Sequence, residues 1–125
     1  MAGIKTQVGE ELTTDLLTGA AAAPSWYVSW GTGNATPVKG DVDLAAPSAE
    51  ARVAATVTQP APDVTQWEAL LTSLSAQTIA EYGVFNGAGS GSPPSGGTLF
   101  GRLTMSPQLL AINDKIQFTI TYEDK

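Results

Sequence analysis

From residue 115 to residue 122 the chain alternates without a break. Ile116, Phe118, Ile120 and Tyr122 are apolar, while Lys115, Gln117, Thr119 and Thr121 are polar. A period of two marks a strand with one face in a core and one in water. Its β-branched and aromatic side chains suit that pleated, half-buried surface. Four more stretches carry the same signal. Residues 25–31 (Ser-Trp-Tyr-Val-Ser-Trp-Gly) form an aromatic strand that Gly31-Thr32-Gly33-Asn34 breaks. Residues 50–59 set Val53, Ala55 and Val57 against Arg52, Ala54, Thr56 and Thr58, and a Pro-rich segment at 59–63 stops them. Residues 78–85 place Ile79, Glu81, Gly83 and Phe85 on one side and Ala80, Tyr82 and Val84 on the other. Residues 98–105 oppose Leu99, Leu103 and Met105 to Phe100 and Arg102. The segment 65–75 is ambiguous, because Trp67, Leu70, Leu71 and Leu74 have helical spacing. Its place between two strands and its Thr/Ser content favour a strand, and it is assigned as one.

The segments between these strands are rich in turn residues. Pro37, Gly40 and Pro47 punctuate a connection at 36–47, with Leu44 placed to pin it to the core. Residues 86–97 (Asn-Gly-Ala-Gly-Ser-Gly-Ser-Pro-Pro-Ser-Gly-Gly) predict a flexible, solvated loop, and 107–114 a last connection. Five or six strands in about 100 residues, separated by turn signals, predict an all-β fold, an antiparallel β-sandwich of jelly-roll or tulip-like form. Residues 1–24 are different. Val8, Leu12 and Leu16 recur every four residues with Glu10, Glu11 and Asp15 elsewhere, which predicts a short amphipathic helix at 8–17. Thr18-Gly19 stops it, and 20–24 is a linker. A helix of this length is marginal alone. It is either a frayed tail or an arm that packs on a neighbouring subunit through Val8, Leu12, Leu16 and Leu17. The domain proper is then 25–125.

Composition narrows the function. At 125 residues the chain holds one domain with a modest core. Its 12 acidic and 6 basic residues give a net charge of −6, and the basic ones stand singly along the sequence. Nucleic acids and anionic membranes call for clustered positive charge, so neither is expected as a partner. With no Cys and no His, disulfides, thiolate nucleophiles, Cys/His zinc sites and imidazole bases are excluded. The N-terminus lacks the pattern of a signal peptide, and no apolar run approaches the ~20 residues that span a bilayer.

Few residues carry candidate chemistry. Gly31-Thr32-Gly33 and the 86–97 loop lack the lysine and spacing of a phosphate cradle and read as turns. Asp41 and Asp43 lack the further oxygen ligands of a calcium loop, so no metal and no cofactor is assigned. Glu81 is expected on an inward face beside Ile79 and Phe85. A buried carboxylate needs a partner, and Arg52 and Arg102 on neighbouring strands make a structural ion pair the preferred role over a catalytic acid. No second carboxylate is spaced for acid/base work, so no catalytic residue and no enzymatic activity are expected. Trp26, Tyr27 and Trp30 fit a sugar-stacking platform or, preferred here, packing in the core or at a subunit interface.

Several of these segments together resemble small structural proteins of tailed bacteriophages. The resemblance rests on Trp26-Tyr27-Val28-Ser29-Trp30-Gly31-Thr32-Gly33 with Ala35-Thr36-Pro37, Asp41 and Leu44, and then on Glu50-Ala51-Arg52-Val53. It continues through Glu81-Tyr82-Gly83-Val84-Phe85, Gly96-Gly97-Thr98-Leu99 and Ile116-Gln117-Phe118-Thr119-Ile120. It spans roughly residues 26–122, each motif being short. Proteins of this kind include capsid decoration (cement), head-fibre and tail-fibre proteins. The resemblance implies a virion protein made in the host cytoplasm and mounted on the outer surface of the head. Its partners there are the major capsid protein and further copies of itself, as a homotrimer. A tail-fibre or receptor-binding module is the alternative it leaves open.

Overall fold

A computed structural model describes residues 4–18 and 25–123. In chain order the elements are β1 (Ile4–Lys5), α1 (Gln7–Thr18), β2 (Tyr27–Gly31), β3 (Val53–Ala54), β4 (Thr56–Ala61), β5 (Val64–Thr72), β6 (Gln77–Phe85), β7 (Leu99–Leu110) and β8 (Lys115–Glu123). They form two antiparallel sheets, one ordered β1-β7-β6-β2-β3 and the other β4-β5-β8. The fold is all-β, with two facing sheets and one short N-terminal helix. The linker expected at 20–24 lies outside the described residues.

The core between the sheets follows from the alternation. From the five-stranded sheet Val28, Trp30, Val84 and Leu103 are buried, and from the three-stranded sheet Trp67, Ala69, Leu71, Phe118 and Ile120 meet them. The registers put these residues side by side, Trp30 opposite Tyr82, Ala69 opposite Phe118 and Trp67 opposite Ile120. Most of the segment 65–75 is therefore a strand, β5, which ends at Thr72. Trp67, Ala69 and Leu71 point inward, while Leu70 and Leu74 are exposed.

The five-stranded sheet is buried on its second face too. Its outer side carries Phe85 and Leu99, which pack with Leu44 of the 32–50 connection into a separate small core. This connection has little regular structure, yet it folds back on itself and is bonded to the end of β2 near residues 47–48. Thr32 N–H donates to Ala46 O at 2.9 Å and Ser48 N–H to Trp30 O at 3.0 Å. A sheet covered on both sides reads as a nearly continuous apolar run, and β2 from Val28 onward and most of β6 are buried.

Four sequence expectations need correction. The stretch 50–59 is not one strand. It changes sheets at Ala55, whose N–H bonds Trp26 O at 2.8 Å, so β3 and β4 belong to different sheets and Val57 is left exposed. Second, β7 does not stop at Met105 but runs on through Pro107 to Leu110. Proline is tolerated there because the β6–β7 register shifts at that place: Ile79 pairs with Gln108 and Glu81 with Thr104, leaving 105–107 opposite Ala80 alone. Third, the β6 side chains do not divide between the faces as strict alternation predicts. Ile79 joins the core between the sheets, whereas Glu81 and Phe85 lie on the outer side.

The fourth concerns the arm, which packs on its own chain. β1 pairs with β7 (Ile4 opposite Arg102), and α1 lies against the same strand. The Thr6 hydroxyl bonds the Leu99 carbonyl and caps the helix by accepting from Gly9 N–H at 3.0 Å. A Cβ on Gly9 would collide with the Phe100 carbonyl, so glycine at that turn lets helix and strand touch.

Candidate functional site

The densest polar constellation sits on the outer face of the five-stranded sheet. Glu81 on β6 is fully buried, and Arg102 on β7 is 1% exposed. Gly83 lies directly opposite Arg102, so Glu81 and Arg102 are diagonal neighbours on that face. Arg102 Nε donates to Glu81 Oε1 at 2.8 Å. The other end of the guanidinium donates to Ala35 O at 2.7 Å and to Asp41 Oδ2 at 3.2 Å.

The carboxylate of Glu81 also accepts three backbone N–H groups from the overlying connection: Gly33 at 3.0 Å, Ala45 at 2.8 Å and Ala46 at 2.7 Å. Each of its oxygens thus has two donors. Gly33 is required for the approach, since a Cβ there would stand 2.5 Å from Glu81 Oε2. The Gly31-Thr32-Gly33 motif brings backbone up to this protein's own carboxylate. Asp41 is equally engaged, accepting Val38 N–H at 3.0 Å as well as Arg102. Among the described residues, no group of three or more acidic side chains could hold a metal ion.

Arg52 is not part of this pair. It lies under the 86–97 loop, where it donates to Gly87 O at 3.0 Å and Gly96 O at 2.8 Å, and its guanidinium stacks 3.6 Å from the centre of the Phe85 ring. Its Nε is buried without a partner among the described residues. Burial weakens its hold on its proton and the nearby Asp43 opposes this, but an arginine stays charged regardless. The loop expected to be flexible is held at both ends. Ser90 and Ser95 exchange backbone hydrogen bonds of 3.0 Å, and Ser92 Oγ donates to Ala49 O at 3.0 Å. Gly89, at φ 66°, passes so close that a Cβ would sit 2.9 Å from the Arg52 guanidinium.

A second buried carboxylate escaped the sequence reading. Among the described residues, no cation lies beside Glu50. Its oxygens accept from Trp30 Nε1 at 2.9 Å, Leu74 N–H at 3.1 Å and Gln77 Nε2 at 3.0 Å. Burial pushes its pKa up, but the bonds from Gln77, Leu74 and Trp30 outweigh this and hold it below the ordinary value. No spacing signals such a node, because its members are brought together only by the fold. The one available hint was Trp30, whose buried indole N–H requires an acceptor.

The residues expected at an interface are scattered. Trp30 is in the core, and Leu12 is buried within its own chain. Trp26, Tyr27, Val8 and Leu16 are half-buried, and Leu17 is 83% exposed. Trp26 instead belongs to an aromatic groove of about 450 Å³ between α1 and the β4–β5 turn, with Leu16, Trp67, Phe100 and Tyr122 also in its walls. Its rings meet edge to face, Trp26 lying 5.6 Å from Trp67 and 5.5 Å from Phe100. The indole N–H of Trp67 is buried without a partner among the described residues. Comparison with known proteins finds no matching family model and no significantly similar curated protein.

Two outcomes follow for the polar nodes. Replacing Arg102 by Met leaves the buried Glu81 carboxyl short of its cation, and should cost ~3 kcal/mol in urea unfolding. The Glu81→Gln/Arg102→Met double variant should lose clearly less than the two single losses added together. Strictly additive losses, or a loss under ~0.5 kcal/mol for Arg102→Met, would contradict the coupling. For Glu50 the sign is set by its lowered pKa. Its stabilisation is present above the ordinary value near 4.5 and is lost as pH falls through the lower folded-state value. Glu50→Gln turns an amide N–H₂ toward groups that are all donors and should cost ~2 kcal/mol at pH 7. That gap should narrow as pH falls below 4.5; a gap independent of pH would contradict the assignment.

Proposed function

We propose that this protein is a bacteriophage virion component that works by binding. In this reading it is a capsid decoration protein that attaches to the outer surface of the head and stabilises the shell through contacts with the major capsid protein and with further copies of itself. The observation that carries the reading is where the residues of the resemblance fall in the fold. Trp30, Gly33, Glu50, Arg52, Glu81 and Phe85 all sit in the polar nodes or the two cores. They brace the domain from within and leave its outer surfaces for association. A rigid body of this kind needs no cofactor and no catalytic group. Repeated over a lattice, weak contacts add up through effective concentration.

One observation favours a second reading, a tail-fibre or receptor-binding module. The aromatic groove is of a size that suits a small ligand, and its half-buried Trp26 and Tyr122 offer ring surface. The two readings separate on intact particles. Gold-labelled antibody against the chain, counted by electron microscopy, should find many copies over the head, and heads assembled without the protein should open at a lower temperature. Label confined to the tail, with heads equally stable without the protein, would sink the decoration role.

A further inference from the structure

Sheet edges present backbone N–H and C=O groups without strand partners, and proteins blunt or cover them. Four strands end the two sheets here. β1 and β3 are two residues long, and β4 carries Pro60 and an irregular register between Thr58 and Ala61. β8 has none of these devices. It runs for nine residues with neither proline nor glycine and pairs with β5 on one side along its whole length, from Lys115–Thr72 to Glu123–Val64. Among the described residues no strand pairs with its other side. Its only charges are at its two ends, Lys115 and Glu123.

We propose that β8 is a self-association edge, through which two copies of this chain pair antiparallel about a two-fold axis at Thr119. The sequence of the strand is complementary to itself in that register. Lys115 of one copy stands opposite Glu123 of the other at both ends of the contact, Gln117 stands opposite Thr121, and Thr119 meets its own equivalent. On the core side Ile116 faces Tyr122 and Phe118 faces Ile120. Opposite charges, paired threonines and aromatic with β-branched pairs are the favourable cross-strand combinations. Sliding the pairing by two residues either way removes both charge pairs, and sliding it by one sets the apolar row against the polar row. The contact joins two three-stranded sheets into one of six strands, an isologous arrangement that closes and leaves β8 no free edge. The inference rests on this edge alone, whether or not the protein is carried on a virion.

Sedimentation equilibrium of the full chain tests it. The mass should rise with concentration from 12.9 kDa to twice that value and stop there. Lys115, whose Nζ donates to Thr72 Oγ1 at 3.0 Å, and Glu123 are both exposed, and circular dichroism checks that their exchange keeps the fold. Lys115→Glu and Glu123→Lys should each weaken the dimer about tenfold by setting like charges opposite one another, and the double variant Lys115→Glu/Glu123→Lys should return to within about threefold of the original. In this cysteine-free chain Thr119→Cys should give a disulfide-linked dimer on oxidation, which Thr56→Cys on β4 should not. A chain that stays monomeric at every concentration would overturn the proposal. So would a trimer indifferent to the charge variants, or a double variant weaker than either single one.

Discussion

A carboxylate removed from water must be given donors or give up its charge, and Glu81 is fully buried. It takes one donor from Arg102 and three from the backbone of the connection above it. That requirement turns an irregular, Pro- and Gly-punctuated segment into a third layer of the fold. Arg102 reaches past Glu81 to Ala35 and Asp41, so the same ion pair also fixes the far side of the connection. Leu44 is thereby seated on Phe85 and Leu99, and the second face of the five-stranded sheet is closed.

The other nodes repeat this logic with different chemistry. Among the described residues Glu50 has no cation, and it relies on neutral donors from β2, from β6 and from the segment between β5 and β6, which ties the end of the 32–50 connection to the five-stranded sheet and to that segment. Arg52 is held by carbonyls and an aromatic ring, which order the glycine-rich loop over it. Each buried charge therefore binds a stretch of chain that lacks a hydrogen-bonded ladder of its own. A domain whose loops are tied to its sheets in this way is suited to work as a rigid part in an assembly, which is the role proposed for it.

The strands were legible in the sequence wherever one face meets water. β8 shows this best, because its polar row is solvated and its apolar row is not. β5 was harder, since exposed Leu70 and Leu74 add apolar positions that imitate helical spacing. Faces could not be assigned across the β6–β7 irregularity, because nothing local in the sequence announces it. The Glu81–Arg102 pair was open to inference, since an acid and an arginine inside neighbouring strands have few other partners. The backbone donors from 33–46 and the whole Glu50 node were not, because hydrogen bonds between residues tens of positions apart leave no periodic trace. The docking of α1 on its own β7 was hidden for a related reason: an amphipathic pattern says that a face is covered, not by what.

Native-state hydrogen exchange of the Gly33, Ala45 and Ala46 amides tests most directly whether Glu81 holds the outer layer in place. These three protons should exchange as slowly as the amides of the central strands, opening only when the domain unfolds as a whole. Exchange at the rate of exposed loop amides, with the strands still protected, would show that the connection is not anchored by the buried carboxylate.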